Sequence, residues 1–177
     1  MESWSNRPTR GEVTTATKLV RAKPGKAIGG ICLSEDLVGA YTHYWQGRTR
    51  ICEGQGCEAC ESNRAARWYG YVAIMHETSK EVAILELTAG TIGAIDTHLK
   101  RYGSLRGARI SVKRAGAKIN SKIIATIEQT TIQSVELAPG PCVEMILSKM
   151  WEVSKERVPE LRKRQNLNAN GKPNRVI

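Results

Sequence analysis

The chain has 177 residues, 41% hydrophobic and 25% charged, with a formal net charge of +10. That length suits one ordinary domain with extensions, and no apolar run approaches the roughly 18 residues that a membrane span needs. The opening MESWSNRPTRGEV lacks the apolar centre of a secretory signal, so a cytoplasmic protein is expected, nucleoid-associated if bacterial or inside the host cell if from a phage.

Residues 1–16 are polar and aperiodic, which predicts a flexible amino-terminal arm. From Thr17 the run TKLVRAK reads as a first strand, followed by turn signals at Pro24-Gly25 and Gly29-Gly30. A long connector follows, with a cysteine-rich loop at 41–62. ARWYGYVAIM (66–75) and KEVAILELT (80–88) read as a hairpin. Alternation puts Trp68, Gly70, Val72 and Ile74 on one face and Tyr69, Tyr71, Ala73 and Met75 on the other, both substantially covered. The period then changes: Ile92, Ile95, Leu99 and Tyr102 recur at helical spacing, with Gly103 as a stop. ARISVKRAGAKINSKIIATIE predicts a second hairpin across Gly116.

This order makes a mainly β protein. Five strands with a helix between the third and fourth match an OB-fold barrel, here with a metal loop between strands 1 and 2. The expected organisation is an OB domain over 17–135 and a short helical extension over 136–158. A basic, disordered tail is expected over 159–177.

Five cysteines are an odd number, and three fall within nine residues, so metal binding is favoured over a disulfide framework in a reducing compartment. His43, Cys52, Cys57 and Cys60 offer one nitrogen and three sulfurs, the donor set of a tetrahedral structural zinc. Cys32 competes with His43 for the fourth position. Gly54 and Gly56 allow the chain to fold back on itself, and four protein ligands would leave the single Zn2+ no open position for substrate. Cys142 reads as an ordinary buried thiol.

Six of the nine aromatic residues fall between Tyr41 and Tyr71. Trp68 is assigned to the core, while Tyr69 and Tyr71 are candidates for stacking on unpaired bases. Tyr44 and Trp45 either share that role or cover the metal loop. Arg48, Arg50, Arg64 and Arg67 lie near enough in sequence to meet phosphates. Residues 91–128 carry a net +6, and Arg109, Lys113, Arg114, Lys118 and Lys122 alternate outward or occupy the second hairpin's turn, which forms one lip of an OB groove.

A basic OB-type pattern with a His-then-three-Cys loop ending in CxxC resembles the zinc-containing single-stranded DNA-binding, helix-destabilising proteins of T-even phages. The likeness spans roughly residues 17–128. It implies that His43, Cys52, Cys57 and Cys60 hold the zinc and that the strand lies across aromatic and basic residues. The ligand spacing here is more compact, and the carboxyl end is basic where that class commonly carries an acidic tail.

No P-loop, GxSxG or HExxH is present, and His43 lacks the HxE pattern of a zinc deaminase. A non-enzymatic protein that binds single-stranded DNA largely independently of sequence is expected, with RNA as the runner-up ligand. The alternative class is a zinc-stabilised interaction module of a nucleic-acid-processing assembly. Partners would then include replication, recombination or mobile-element proteins, and no membrane.

Overall fold

The computed structural model describes residues 17–118, 120–132 and 136–165, without the side chains of 163–165. The expected amino-terminal arm and the end of the chain from 166 lie outside the described residues. Among the described residues the protein is mainly β, one 8-stranded sheet with a few helices. The strands are β1 (Lys18–Val20), β2 (Ile28–Cys32), β3 (Val38–Trp45), β4 (Arg48–Ile51), β5 (Arg67–Met75), β6 (Val82–Thr88), β7 (Arg109–Arg114) and β8 (Ile123–Glu128). The helices are α1 (Glu58–Glu61), α2 (Ile92–Tyr102), α3 (Val143–Trp151) and α4 (Arg157–Gln165).

Both expected hairpins form. β5 pairs antiparallel with β6 from Tyr69↔Thr88 to Met75↔Val82, and β7 with β8 from Arg109↔Glu128 to Arg114↔Ile123. The expected long connector, however, carries three strands. β3 and β4 form a hairpin whose two turn residues, Gln46 (φ 49) and Gly47 (φ 80), are both left-handed, the backbone of a tight turn matching the strand twist. β2 and β3 both pair along β5, Ile31↔Met75 at one end and Thr42↔Arg67 at the other. Between them the chain bends, and Ser34 Oγ accepts a hydrogen bond from the Ala73 N–H at 2.9 Å.

A closed five-stranded barrel is not what the pairing produces. The sheet is open, ordered β1-β6-β5-β2-β7-β8, with β3 and β4 extending from β5. The segment expected as the first barrel strand is a three-residue edge strand lying parallel to β6, Lys18↔Ala83 to Val20↔Leu85. β1 thereby takes the free side of β6, so β8 does not pair there. Arg114 links the two ends: its Nε donates to the Ala22 carbonyl and its Nη1 to the Ser121 carbonyl, both at 3.0 Å.

Strand alternation sends apolar side chains to both faces of the sheet. On one face Val72, Ile74, Leu85, Leu87, Ile110 and Val112 are buried with Ile95 of α2. α2 stops as expected at Gly103 (φ 76), whose N–H reaches the Leu99 carbonyl at 2.7 Å. On the other face Tyr71, Ala73 and Ile84 pack beneath Leu147 and Trp151 of α3 and Val158 and Leu161 of α4. α3 is the expected short helix. α4, by contrast, crosses the boundary expected at 158/159 and is part of this core, each fully buried side chain contributing about 1.5–3 kcal/mol.

Candidate metal centre and nucleic-acid interface

The β3–β4 hairpin and α1 bring the four donors together. His43 lies on β3, and Cys52 follows β4, its N–H held by the Tyr41 carbonyl at 2.8 Å. Gly54 and Gly56, both at φ 76, turn the chain so that Cys57 caps α1 and Cys60 lies within it. The donor atoms of His43, Cys52, Cys57 and Cys60 all lie within 4.8 Å of one another.

Cys52 Sγ is 3.7 Å from Cys60 Sγ, and Cys60 Sγ is 3.4 Å from His43 Nε2. A disulfide would need about 2.05 Å. Tetrahedral metal bonds of about 2.3 Å to sulfur and about 2.0 Å to nitrogen place donors roughly 3.5–3.8 Å apart, so the observed spacing fits an ion at the centre. The cluster can hold a metal ion and is chemically compatible with structural zinc. His43 is buried, and its Nδ1 has no hydrogen-bond partner among the described residues. Among the described residues the local apolar cluster is Cys52, Cys57, Ala59 and part of Trp45, too small to order the loop, so coordination would supply the missing free energy.

Cys32 is not part of the cluster. It is packed in the α2-side core, its thiol donating to the Ser34 carbonyl at 3.4 Å, and burial pushes its pKa up to about 12. Cys142, expected to be buried, is exposed: it is the N-cap of α3 and precedes the first residue whose side chain that helix buries, Val143.

A groove of about 1020 Å³ opens on the sheet face beside the α3–α4 cover. Its walls carry Arg21, Arg64, Arg67, Arg114 and Lys122, with Tyr44 and Tyr69, against a single acid, Glu86. Tyr44 is 73% exposed. Register explains the grouping: Tyr44 and Thr42 of β3, Arg67 and Tyr69 of β5, and Thr88 and Glu86 of β6 share one face. Arg21 forks onto Glu86, Nε to Oε1 at 2.9 Å and Nη2 to Oε2 at 3.1 Å. Burial pushes the Glu86 carboxyl above its usual range, and Arg21 opposes that shift.

Of the residues singled out from the sequence, Tyr44, Arg64, Arg67, Tyr69, Arg114 and Lys122 line this groove. Tyr71 does not: it is fully buried, edge-on to Trp151 with centroids 5.9 Å apart, so no ring face is left for a base. Trp45 packs on the metal loop, beneath the Arg64 guanidinium. Arg48 pairs with Glu152, and Arg50 lies opposite His43 with its Nε buried. Arg109 is held by Glu77 at 2.7 Å, which neutralises it away from the groove. Lys113 and Lys118 are exposed but outside the groove walls.

Sequence reasoning missed Arg21 and Glu86. Period two puts Leu19 and Arg21 on one face of the first strand run, but only the parallel pairing with β6 brings Arg21 to the carboxylate. Trp68, assigned to the core, is half-buried and lies over Gly39 and Gly70. A Cβ at those glycines would come within 2.4 Å and 2.6 Å of its ring, so both positions must lack a side chain. Comparisons of the chain with family models, curated proteins and solved structures return no match.

Proposed function

We propose that this protein binds single-stranded nucleic acid, DNA in preference to RNA, with a structural zinc ion fixing one wall of the binding groove. The observation that carries this reading is the groove itself, where five cations and two tyrosines meet on one sheet face. Arg64, Arg67, Arg114 and Lys122 neutralise phosphates, Arg21 being held by Glu86, while Tyr44 and Tyr69 offer rings for stacking, roughly 1–3 kcal/mol per base. Arg64 ties the two parts together, lining the groove while lying over Trp45 of the metal loop.

The strand order supports an OB-type reading. The bent β2–β3 unit serves as the first strand, β5 and β6 as the second and third, α2 as the intervening helix, and β7 and β8 as the last pair. The groove then falls on the second and third strands, the usual ligand face of that architecture. His43, Cys52, Cys57 and Cys60 would hold the zinc, which acts here by ordering the chain. In this reading the protein is a binding module and carries out no reaction.

The test is a titration of labelled single-stranded DNA, single-stranded RNA and duplex DNA against the full chain, with metal content measured on the same sample. Single strands should bind more tightly than duplex, with about one zinc per chain. Equal or tighter duplex binding would reject the groove as a single-strand site.

A further inference from the structure

Glu86 is the single acid among the residues lining the groove, and its side chain is 9% exposed. A carboxylate there repels the phosphates that the surrounding cations attract, so phosphate binding gives no reason for its presence. Arg21 holds it in a fixed orientation through two bonds of 2.9 and 3.1 Å. An ionised carboxylate has about four acceptor positions. The Arg21 fork engages one on each oxygen and the Tyr71 hydroxyl lies against the same carboxylate, which leaves one further acceptor position on a group that borders the groove.

Directly opposite Glu86 on β5 lies the buried Tyr71, and the neighbour of Glu86 on the groove side of the same face is Tyr69. Tyr69 pairs with Thr88, and Glu86 is two residues earlier on β6, so the ring and the carboxylate are diagonal cross-strand neighbours. Such positions are roughly 7–8 Å apart, within the reach of long side chains. A base stacked on Tyr69 therefore has its hydrogen-bonding edge near Glu86.

An acceptor-only, negatively charged group distinguishes bases sharply. Guanine presents two adjacent N–H donors on its Watson–Crick edge. Cytosine and adenine each present one exocyclic amine beside an acceptor, while thymine and uracil flank their N–H with two carbonyls that a carboxylate repels. Resting on the single-strand reading above, we propose that Glu86, oriented by Arg21, reads the edge of one base in the groove, selecting guanine and rejecting thymine or uracil. Binding is then tolerant of sequence at most positions and selective at one.

The experiment measures fluorescence anisotropy of the full chain with labelled hexathymidylate and with the three hexamers carrying one central guanine, cytosine or adenine. The guanine hexamer should bind roughly ten-fold more tightly than hexathymidylate, with cytosine and adenine between. E86Q, whose amide replaces one acceptor with a donor, should compress that range to about two-fold or less. A flat ranking for the unaltered protein overturns the proposal, whether or not E86Q folds. So does an E86Q effect equal for all four strands, because loss of repulsion alone changes them together. Failure of all four hexamers and of a longer mixed-sequence strand to bind would reject the single-strand reading itself, and this proposal with it.

Discussion

The Arg64 guanidinium carbon lies 5.8 Å from the centroid of the Trp45 ring. Trp45 belongs to the small cluster around Cys52 and Cys57, and Arg64 is a wall of the groove. One cation–π contact, worth about 0.5–1 kcal/mol at an exposed site, thus joins the cysteine loop to the groove.

Replacing one sulfur donor should break that connection. Cys57→Ser is expected to lose the metal and to lower the melting temperature, since the loop has little apolar packing to order it without an ion. Metal analysis and thermal unfolding check this together. A Cys57→Ser protein with full metal content and unchanged melting would remove Cys57 from the ligand set.

Three tyrosines on one strand pair should behave differently. Tyr44→Ala and Tyr69→Ala should each weaken single-strand binding by about 1–3 kcal/mol, with the fold retained. Tyr71→Ala should instead destabilise the fold by about 3–5 kcal/mol, because it empties a site packed against Trp151. Denaturant unfolding and oligonucleotide titration on the same three variants separate the two effects.

Salt dependence distinguishes groove cations from paired ones. Each phosphate neutralised on a single strand contributes about −0.7 to the slope of log K against log salt. Arg67→Gln should make the slope shallower by about that amount. Arg109→Gln should leave it unchanged, because Glu77 already holds that guanidinium at 2.7 Å. Equal slopes for both variants would place the phosphates elsewhere.

His98 provides a pH signature. It is buried in α2 against Tyr102, and its Nε2 has no partner among the described residues. Burial lowers its pKa below the ordinary value of 6.5, partly opposed by a backbone hydrogen bond at Ser104. A histidine depressed in the folded state contributes stability that is present above the unfolded pKa and lost as pH falls through the folded one. Melting should therefore decline on acidification below about pH 6.5, and His98→Phe should decline less steeply over the same interval. The His98 ring resonances should also titrate below those of a free histidine.

The period-two and period-3.6 patterns made the two hairpins and α2 legible, because each follows from local alternation and nearby turn residues. The four metal donors were legible for a similar reason: a short chain segment contains them all. β3 and β4 were not read as strands, since HYWQGRTRIC runs straight into the glycine- and cysteine-rich EGQGCEAC and the tight turn at Gln46-Gly47 lacks the common Asn-Gly signal. Tyr71 was misplaced because alternation assigns a face without saying what covers it. Its cover, Trp151, arrives from a helix far along the chain. Arg21 and Glu86 likewise meet through a parallel pairing between β1 and β6 that no local pattern encodes.

That distant cover also affects how the protein is made. During synthesis the strands bearing Tyr71 and Ile84 emerge from the ribosome well before α3 and α4, which seal them. Until those last two helices appear, the nascent chain presents an apolar sheet face to its surroundings, the kind of transient exposure that invites association with other chains. Ribosome-bound intermediates ending before Val143 should accordingly depend on chaperones more than the released polypeptide does.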